Sequence, residues 1–223
     1  MGTFLRGGVR ALVEPRPGEP RRLPLGAGRG IRLAGDPSLP LDVWFGLFES
    51  ELAGFVTGSC APGRACVDVG SYNGYYALLF AKLGGAPVVA YDQNPLAGER
   101  IRRNLDLNPE LAGAIEWRQA LVGASTEPAT GTVALDADLE GWGPVGLLKM
   151  DVEGAEHEVL RGARRILGDE RPHVIVETHS AELERRCAEL LHQHGYRPRV
   201  LTQRRRMPQN RPPGHNRWLV ASA

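Results

Sequence analysis

The sequence predicts an α/β fold: a Rossmann-like, doubly wound and mostly parallel sheet. Three observations carry that expectation. Short apolar runs of strand length alternate with helical patterns from about residue 65 onward, a glycine turn joins the first run to the first helix, and most runs end on an acid. Repeated strand–helix units favour parallel pairing, because each crossover helix covers a face of the sheet. An N-terminal extension and lid precede the sheet, and a C-terminal antiparallel hairpin completes it.

The elements follow in order. Residues 1–58 form the extension and lid helix, and residues 59–223 form one structural unit. Pro15, Pro17, Pro20, Pro24, Pro37 and Pro40 break helices and suit irregular or short-stranded structure. Trp44, Phe45, Phe48, Leu52 and Phe55 then recur at helical spacing, which predicts a lid packed on the core or over a homodimer seam. Residues 66–69 read as a strand and 75–83 as a helix closed by Gly84 and Gly85. Residues 88–91 form the second strand. Pro95 opens a helix carrying Ala97, Ile101 and Leu105 on one face.

Residues 115–122 suggest a third strand. A loop-like stretch, 123–144, holds a possible short strand at 132–135. Residues 146–150 give the fourth strand. Ala155, Val159, Leu160, Ala163, Ile166 and Leu167 mark an amphipathic helix ending at Gly168. Residues 174–176 give the fifth strand. Ser180 caps the helix of Leu183, Cys187, Leu190 and Leu191. Residues 199–202 and 218–221 pair as the hairpin.

Composition bounds the function. The 223 residues carry a formal charge of +1, so no global field draws the chain to nucleic acid or membrane. Cys60, Cys66 and Cys187 lack metal spacing and fit a reducing compartment. No apolar stretch approaches the roughly 20 residues that span a bilayer. A cytoplasmic location is expected.

Ligands in doubly wound sheets sit beyond the carboxyl ends of the strands. The residues there are Asp68, Asp92, Ala120, Asp151 and Glu177. In residues 67–74, Gly70 permits a sharp turn and Gly74 permits close backbone approach. The three-glycine spacing of a pyrophosphate loop is missing. Asp68 stands just before the turn instead, where a carboxylate repels phosphate and suits an ammonium or sulfonium. Asp92, 22 residues after Gly70, is placed to take ribose hydroxyls.

These residues, with the block Lys149, Met150, Asp151, Val152, Glu153, Gly154, Ala155 and Glu156, resemble the FkbM family of methyltransferases. Supporting segments are Val159 to Ala163 in sequence, the run Asp92, Gln93, Asn94, Pro95, the pair Leu135, Asp136, and the upstream Gly46 to Glu49. Tyr72 stands where the family commonly has Asn, and Asn73 follows it. The resemblance implies a Rossmann-like methyltransferase fold with S-adenosylmethionine as donor, acting on a small hydroxylated metabolite or sugar-containing natural product. It implies cofactor contacts at Glu49, Asp68, Gly70, Tyr72, Asn73, Gly74, Asp92, Asn94, Ala120, Leu121 and Asp151.

Proton removal from an alcohol needs a base. Asp151, Glu153, Glu177 and His179 are the candidates, and His179 is preferred because it titrates nearest neutrality. Asp151 and Glu153 share a face if the strand alternation persists. The same four residues suit a divalent metal, although the metal-free reading is preferred. Tyr72 or Tyr75 faces the sulfonium or simply packs. The loop bearing Arg204, Arg205, Arg206, Arg211 and Arg217 is either a surface loop or an anion-recognition loop. The loop lacks the interleaved aromatics that single-strand binders use, so nucleic acid is not the expected partner. An RNA or protein methyltransferase, a non-catalytic binding module and a dehydrogenase remain the alternatives.

Overall fold

The computed structural model describes residues 14–84, 87–202 and 217–222. Gly85 and the arginines at 204, 205, 206 and 211 lie outside these. Two short strands, β1 (Pro20–Arg22) and β2 (Arg32–Ala34), pair antiparallel. Helices α1 (Leu41–Phe45) and α2 (Ala53–Ser59) lead into β3 (Ala65–Val69) and α3 (Tyr75–Gly84). Next come β4 (Val88–Asp92), α4 (Pro95–Asp106), α5 (Pro109–Ala112), β5 (Ile115–Gln119), β6 (Leu121–Val122), β7 (Thr132–Val133) and α6 (Leu135–Asp138). The chain continues through β8 (Val145–Met150), α7 (Glu156–Arg161), β9 (His173–Thr178), α8 (Ala181–Gln193), β10 (Arg199–Thr202) and β11 (Arg217–Ala221).

The main sheet has seven strands in the order β10-β11-β9-β8-β3-β4-β5. Strands β9, β8, β3, β4 and β5 are mutually parallel, while β11 runs antiparallel between β9 and β10. The expected doubly wound sheet and terminal hairpin are therefore present. The chain leaves β3 toward β4 and β5, then crosses back to β8 on β3's other side, so the switch in strand order falls between β3 and β8. A ligand crevice belongs at their carboxyl ends.

Side-chain alternation divides the core. Cys66, Val88, Ala90, Leu147 and Ile175 pack with Trp44, Leu52, Tyr76 and Phe80 on the lid side. Val67, Val89, Leu148, Met150, Val174 and Val176 pack with Val159, Leu167, Cys187 and Leu191 on the other. Both faces are covered, as a parallel sheet requires. Among the described residues, no helix is long and apolar enough to cross a membrane.

Several elements differ from expectation. The lid is two short helices, not one, because Gly46 ends α1 in the left-handed region at φ 75°. A Cβ on Gly46 would lie 2.1 Å from the Leu25 carbonyl oxygen, so the N-terminal extension crosses the lid there. The expected helix over 155–168 breaks after Arg161 and resumes as a π-helical turn, Ile166–Glu170. Asp136 explains the restart. Its carboxylate accepts from the Arg165 and Ile166 N–H groups at 2.8 and 3.0 Å, capping a new helical start from outside. The third strand divides at Ala120, where β6 turns away to pair with β7. Leu135 opens α6 rather than ending a strand.

Candidate functional site

The glycine turn is built by backbone demands. Gly70 sits at φ +81°, and a Cβ on it would lie 1.9 Å from the Asp151 carbonyl oxygen, so only glycine lets β3 and β8 converge at their ends. Tyr72 holds φ 50°, a left-handed conformation unusual for an aromatic residue. Its N–H donates to Asp92 Oδ2 at 2.9 Å, tying the turn to the end of β4. Asp92 Oδ1 accepts from the Asn94 N–H at 2.8 Å.

Alternation along the strands places charge under the lid. Asp68, Lys149 and Glu177 fall on the lid face of β3, β8 and β9, in phase with Cys66, Leu147 and Ile175. Asp68 is 1% exposed, and neither of its oxygens meets a donor at hydrogen-bond geometry. Lys149 Nζ stands 4.0 Å away, and the Ala77 N–H leans on the carboxylate only weakly. Burial, with Asp151 and Asp92 as further negative neighbours, pushes the Asp68 carboxyl up to about 6 despite Lys149. Asp68, Asp92 and Asp151 thus share one electrostatic environment at the switch point.

Glu49 descends from the lid with φ 46° and accepts from the Tyr76 hydroxyl at 2.6 Å. Burial and the neighbouring Glu177 push its carboxyl up to about 8. Lys149 Nζ lies 4.3 Å from the Tyr76 ring centroid. Burial opposes its charge, yet Asp68, Asp151, Glu49 and Glu177 together hold its pKa above the usual lysine value.

Beyond the ends of β8 and β9, Asp151, Glu177 and His179 converge, with one donor atom of each inside a 4.8 Å circle of mutual distances. Glu177 is fully buried and accepts from the Trp218 indole N–H at 3.2 Å. His179 Nε2 stands 3.4 Å from Asp151 Oδ1, and its Nδ1 lies 3.0 Å from Glu156 Oε1. The Glu156 contact raises the His179 pKa against the effect of burial, with Asp151 adding to the rise. Burial alone raises the Glu156 pKa, but the His179 contact and the Gly154 N–H outweigh it and leave the carboxyl low.

Other expected residues have local partners. Glu153 does not join Asp151: it sits at φ 48° and is exposed, because the turn into Gly154 breaks the alternation. Asn73 is buried, and its side chain accepts from the Tyr75 N–H at 3.1 Å. Asn94 caps α4 by accepting from the Leu96 N–H at 3.0 Å. Gly74, at φ 77°, packs on Ile101. Tyr72 carries the Arg100 guanidinium 4.7 Å above its ring, so the cation on that ring is an arginine. Tyr75 packs edge-on against Phe48 and Tyr76. Ala120 donates its N–H to the Asp92 carbonyl at 3.1 Å, and Leu121 is partly exposed beside it. Arg217, the one described member of the arginine loop, pairs with Glu184 at 2.8 Å.

Sequence reasoning missed Lys149 and Glu156 as site residues. Lys149 had a signal: it is one of only two lysines and interrupts the apolar run of β8. Glu156 stood in the block that carries the family resemblance, but its role depends on His179 arriving from another strand.

Fold and site together define a Rossmann-like domain with an acidic crevice at the switch point of its sheet. Within that class, the resemblance to the FkbM methyltransferases is shown over residues 125–198, which match the model of the Methyltransferase FkbM domain. A crystal structure of methyltransferase FkbM from Methylobacillus flagellatus KT superposes with a TM-score of 0.54 at 15% identity, covering 71% of this chain and 43% of that one. The ribosomal protein L11 methylase of Lactobacillus delbrueckii subsp. bulgaricus gives a TM-score of 0.58 at 19% identity, covering 86% and 84%. At these identities the superpositions speak for the fold. Ribosomal protein L11 methyltransferase from Bacillus cereus is 45% identical over 47 residues, 21% of this chain, and the match spans only 15% of that relative's length.

Proposed function

We propose that the chain is an S-adenosylmethionine-dependent methyltransferase acting on a hydroxyl of a small metabolite or sugar-containing natural product. The observation that carries the reading is Asp68, a buried carboxylate without a hydrogen-bond donor at the switch point of the sheet. A buried charge short of hydrogen bonds is costly even beside Lys149, and a cationic ligand group offsets that cost. Asp92 accepts two backbone N–H bonds, yet a carboxylate has about four lone-pair sites, which leaves room for ribose hydroxyls. The residues therefore fit an adenosyl amino acid.

The donor supplies an electrophilic methyl group on a sulfonium. The chain's own residues supply alignment, which can lower a barrier by roughly 7–11 kcal/mol. The lid above Glu49 and Tyr76 excludes water. The acceptor hydroxyl sheds its proton at the Asp151, Glu177 and His179 cluster, where His179 is the member whose ordinary pKa lies nearest neutrality.

Calorimetry with S-adenosylhomocysteine tests the reading. The expected result is micromolar binding, weakened at least about tenfold, roughly 1.4 kcal/mol, in Asp68→Asn and Asp92→Ala. Undiminished binding in both variants overturns the site assignment. A second reading, methylation of a ribosomal protein, draws on the 47-residue match to the L11 methyltransferases. Transfer of labelled methyl to ribosomal protein, and not to hydroxylated small molecules, would select it.

A further inference from the structure

We infer that Asp151, Glu177 and His179 bind a divalent cation of the Mn²⁺ and Mg²⁺ class at the carboxyl ends of β8 and β9. The inference rests on the methyltransferase reading for its purpose, but its geometry stands apart from it. Sequence alone left two residue pairs with no means of joining them. In the fold, donor atoms of all three side chains lie within 4.8 Å of one another. Ligands bonded to such ions at about 2.0–2.3 Å stand roughly 3–4.5 Å apart around the metal, so small adjustments suffice.

A second feature concerns the imidazole. A histidine that ligates a metal through one nitrogen commonly hydrogen-bonds a carboxylate through the other, which fixes tautomer and ring orientation. Here Glu156, fully buried, takes His179 Nδ1 at 3.0 Å and leaves Nε2 turned toward Asp151. The Gly154 N–H holds Glu156 in place at 3.0 Å, and the Trp218 indole N–H orients Glu177. Two of the three ligands, His179 and Glu177, are thus oriented by groups outside the triad.

Charge provides the third, independent line. Lys149 is the ammonium set among Glu49, Asp68, Asp151 and Glu177. Its one ion pair among the described residues is with Asp68 at 4.0 Å, while Asp151 and Glu177 are the carboxylates that converge with His179. Two carboxylates and one imidazole are oxygen-rich donors that suit Mn²⁺ or Mg²⁺ better than a thiophilic ion.

The cation's task is to hold the acceptor through a hydroxyl and a neighbouring oxygen, as in a vicinal diol or hydroxy acid, and to make that hydroxyl acidic. The O–H proton leaves to solvent, the O–CH₃ bond forms as the S–CH₃ bond breaks, and the ion changes no oxidation state. His179 is then a ligand and not the proton acceptor. The two tasks are exclusive, and titration decides between them.

The test uses the full chain. Mn²⁺ is titrated by electron paramagnetic resonance, with Mg²⁺ as competitor, and S-adenosylhomocysteine binding is measured separately by calorimetry. The expected result is one Mn²⁺ per chain, displaced by Mg²⁺, with affinity falling at least tenfold in Glu177→Gln and His179→Gln. Glu156→Gln, which leaves the three ligands intact, should weaken Mn²⁺ by about 10- to 100-fold through loss of ring orientation. Circular dichroism melts establish that each variant is folded. Absence of Mn²⁺ binding to the wild-type chain, or equal binding in folded variants, overturns the inference, and intact S-adenosylhomocysteine binding in that case leaves the methyltransferase reading standing. Mn²⁺ binding without S-adenosylhomocysteine binding supports the cation site and removes the cofactor assignment.

Discussion

Asp68 shows how a functional carboxylate opposes stability. Its pKa rises from 3.8 to about 6, so above pH 6 the ligand-free fold carries a penalty of about 3 kcal/mol at this position. Asparagine removes the charge while keeping the shape, although its amide inherits the lack of partners, so the net gain is about 1–2 kcal/mol. Asp68→Asn is accordingly expected to raise the melting temperature of the ligand-free protein at pH 8 while weakening cofactor binding. A lower melting temperature at that pH would show that the Lys149 ion pair outweighs desolvation. Gly70 makes the opposite case. An alanine there meets the Asp151 carbonyl oxygen at 1.9 Å in a left-handed backbone, so Gly70→Ala should lower stability by several kcal/mol and move the ends of β3 and β8 apart.

Elements carry the turn's geometry outward. The edge of β2 is satisfied by asparagine side chains of α4 and its end: Asn104 accepts from the Ala34 N–H at 2.8 Å, and Asn108 exchanges two bonds with Arg32 at 2.9 and 2.7 Å. Asn104 also donates to the Asn73 carbonyl at 2.8 Å, linking the N-terminal extension to the glycine turn. Removing this buried amide orphans two backbone groups, so Asn104→Ala should cost about 2–4 kcal/mol in chemical denaturation. A change under about 0.5 kcal/mol would mean water replaces it. The same links explain what the sequence made legible. The strands around Asp68, Asp92, Asp151 and Glu177 were readable because apolar runs and acids are local signals. The split of the lid at Gly46 was not, because it depends on Leu25 crossing there. Nor was the restart at Arg165, because its cap comes from Asp136. His179 could be named from its position after β9, but its partner Glu156 could not, since the two meet only across the sheet.

At the scale of the molecule, acids and imidazole give a common pH dependence. Asp68 and Glu49 have raised folded-state pKa values, about 6 and about 8, and His179 is also raised. Each contributes stability that is present below its unfolded value and lost as pH rises through its folded value. The melting temperature of the ligand-free protein should therefore fall from about pH 4 to about pH 8.5, through Asp68 and Glu49 below pH 6 and through Glu49 and His179 above it. Bound S-adenosylhomocysteine should flatten that slope, because its ammonium favours the ionised acids. A slope that is flat without ligand would contradict the burial of these groups. The central claim, that Asp68 and Asp92 line one crevice for an adenosyl amino acid, is met most directly by a crystal structure of the chain with S-adenosylhomocysteine. The account predicts ribose hydroxyls hydrogen-bonded to Asp92 and the ligand's amino group on the Asp68 side of the turn at Gly70. Ligand density away from the ends of β3 and β4 would contradict it.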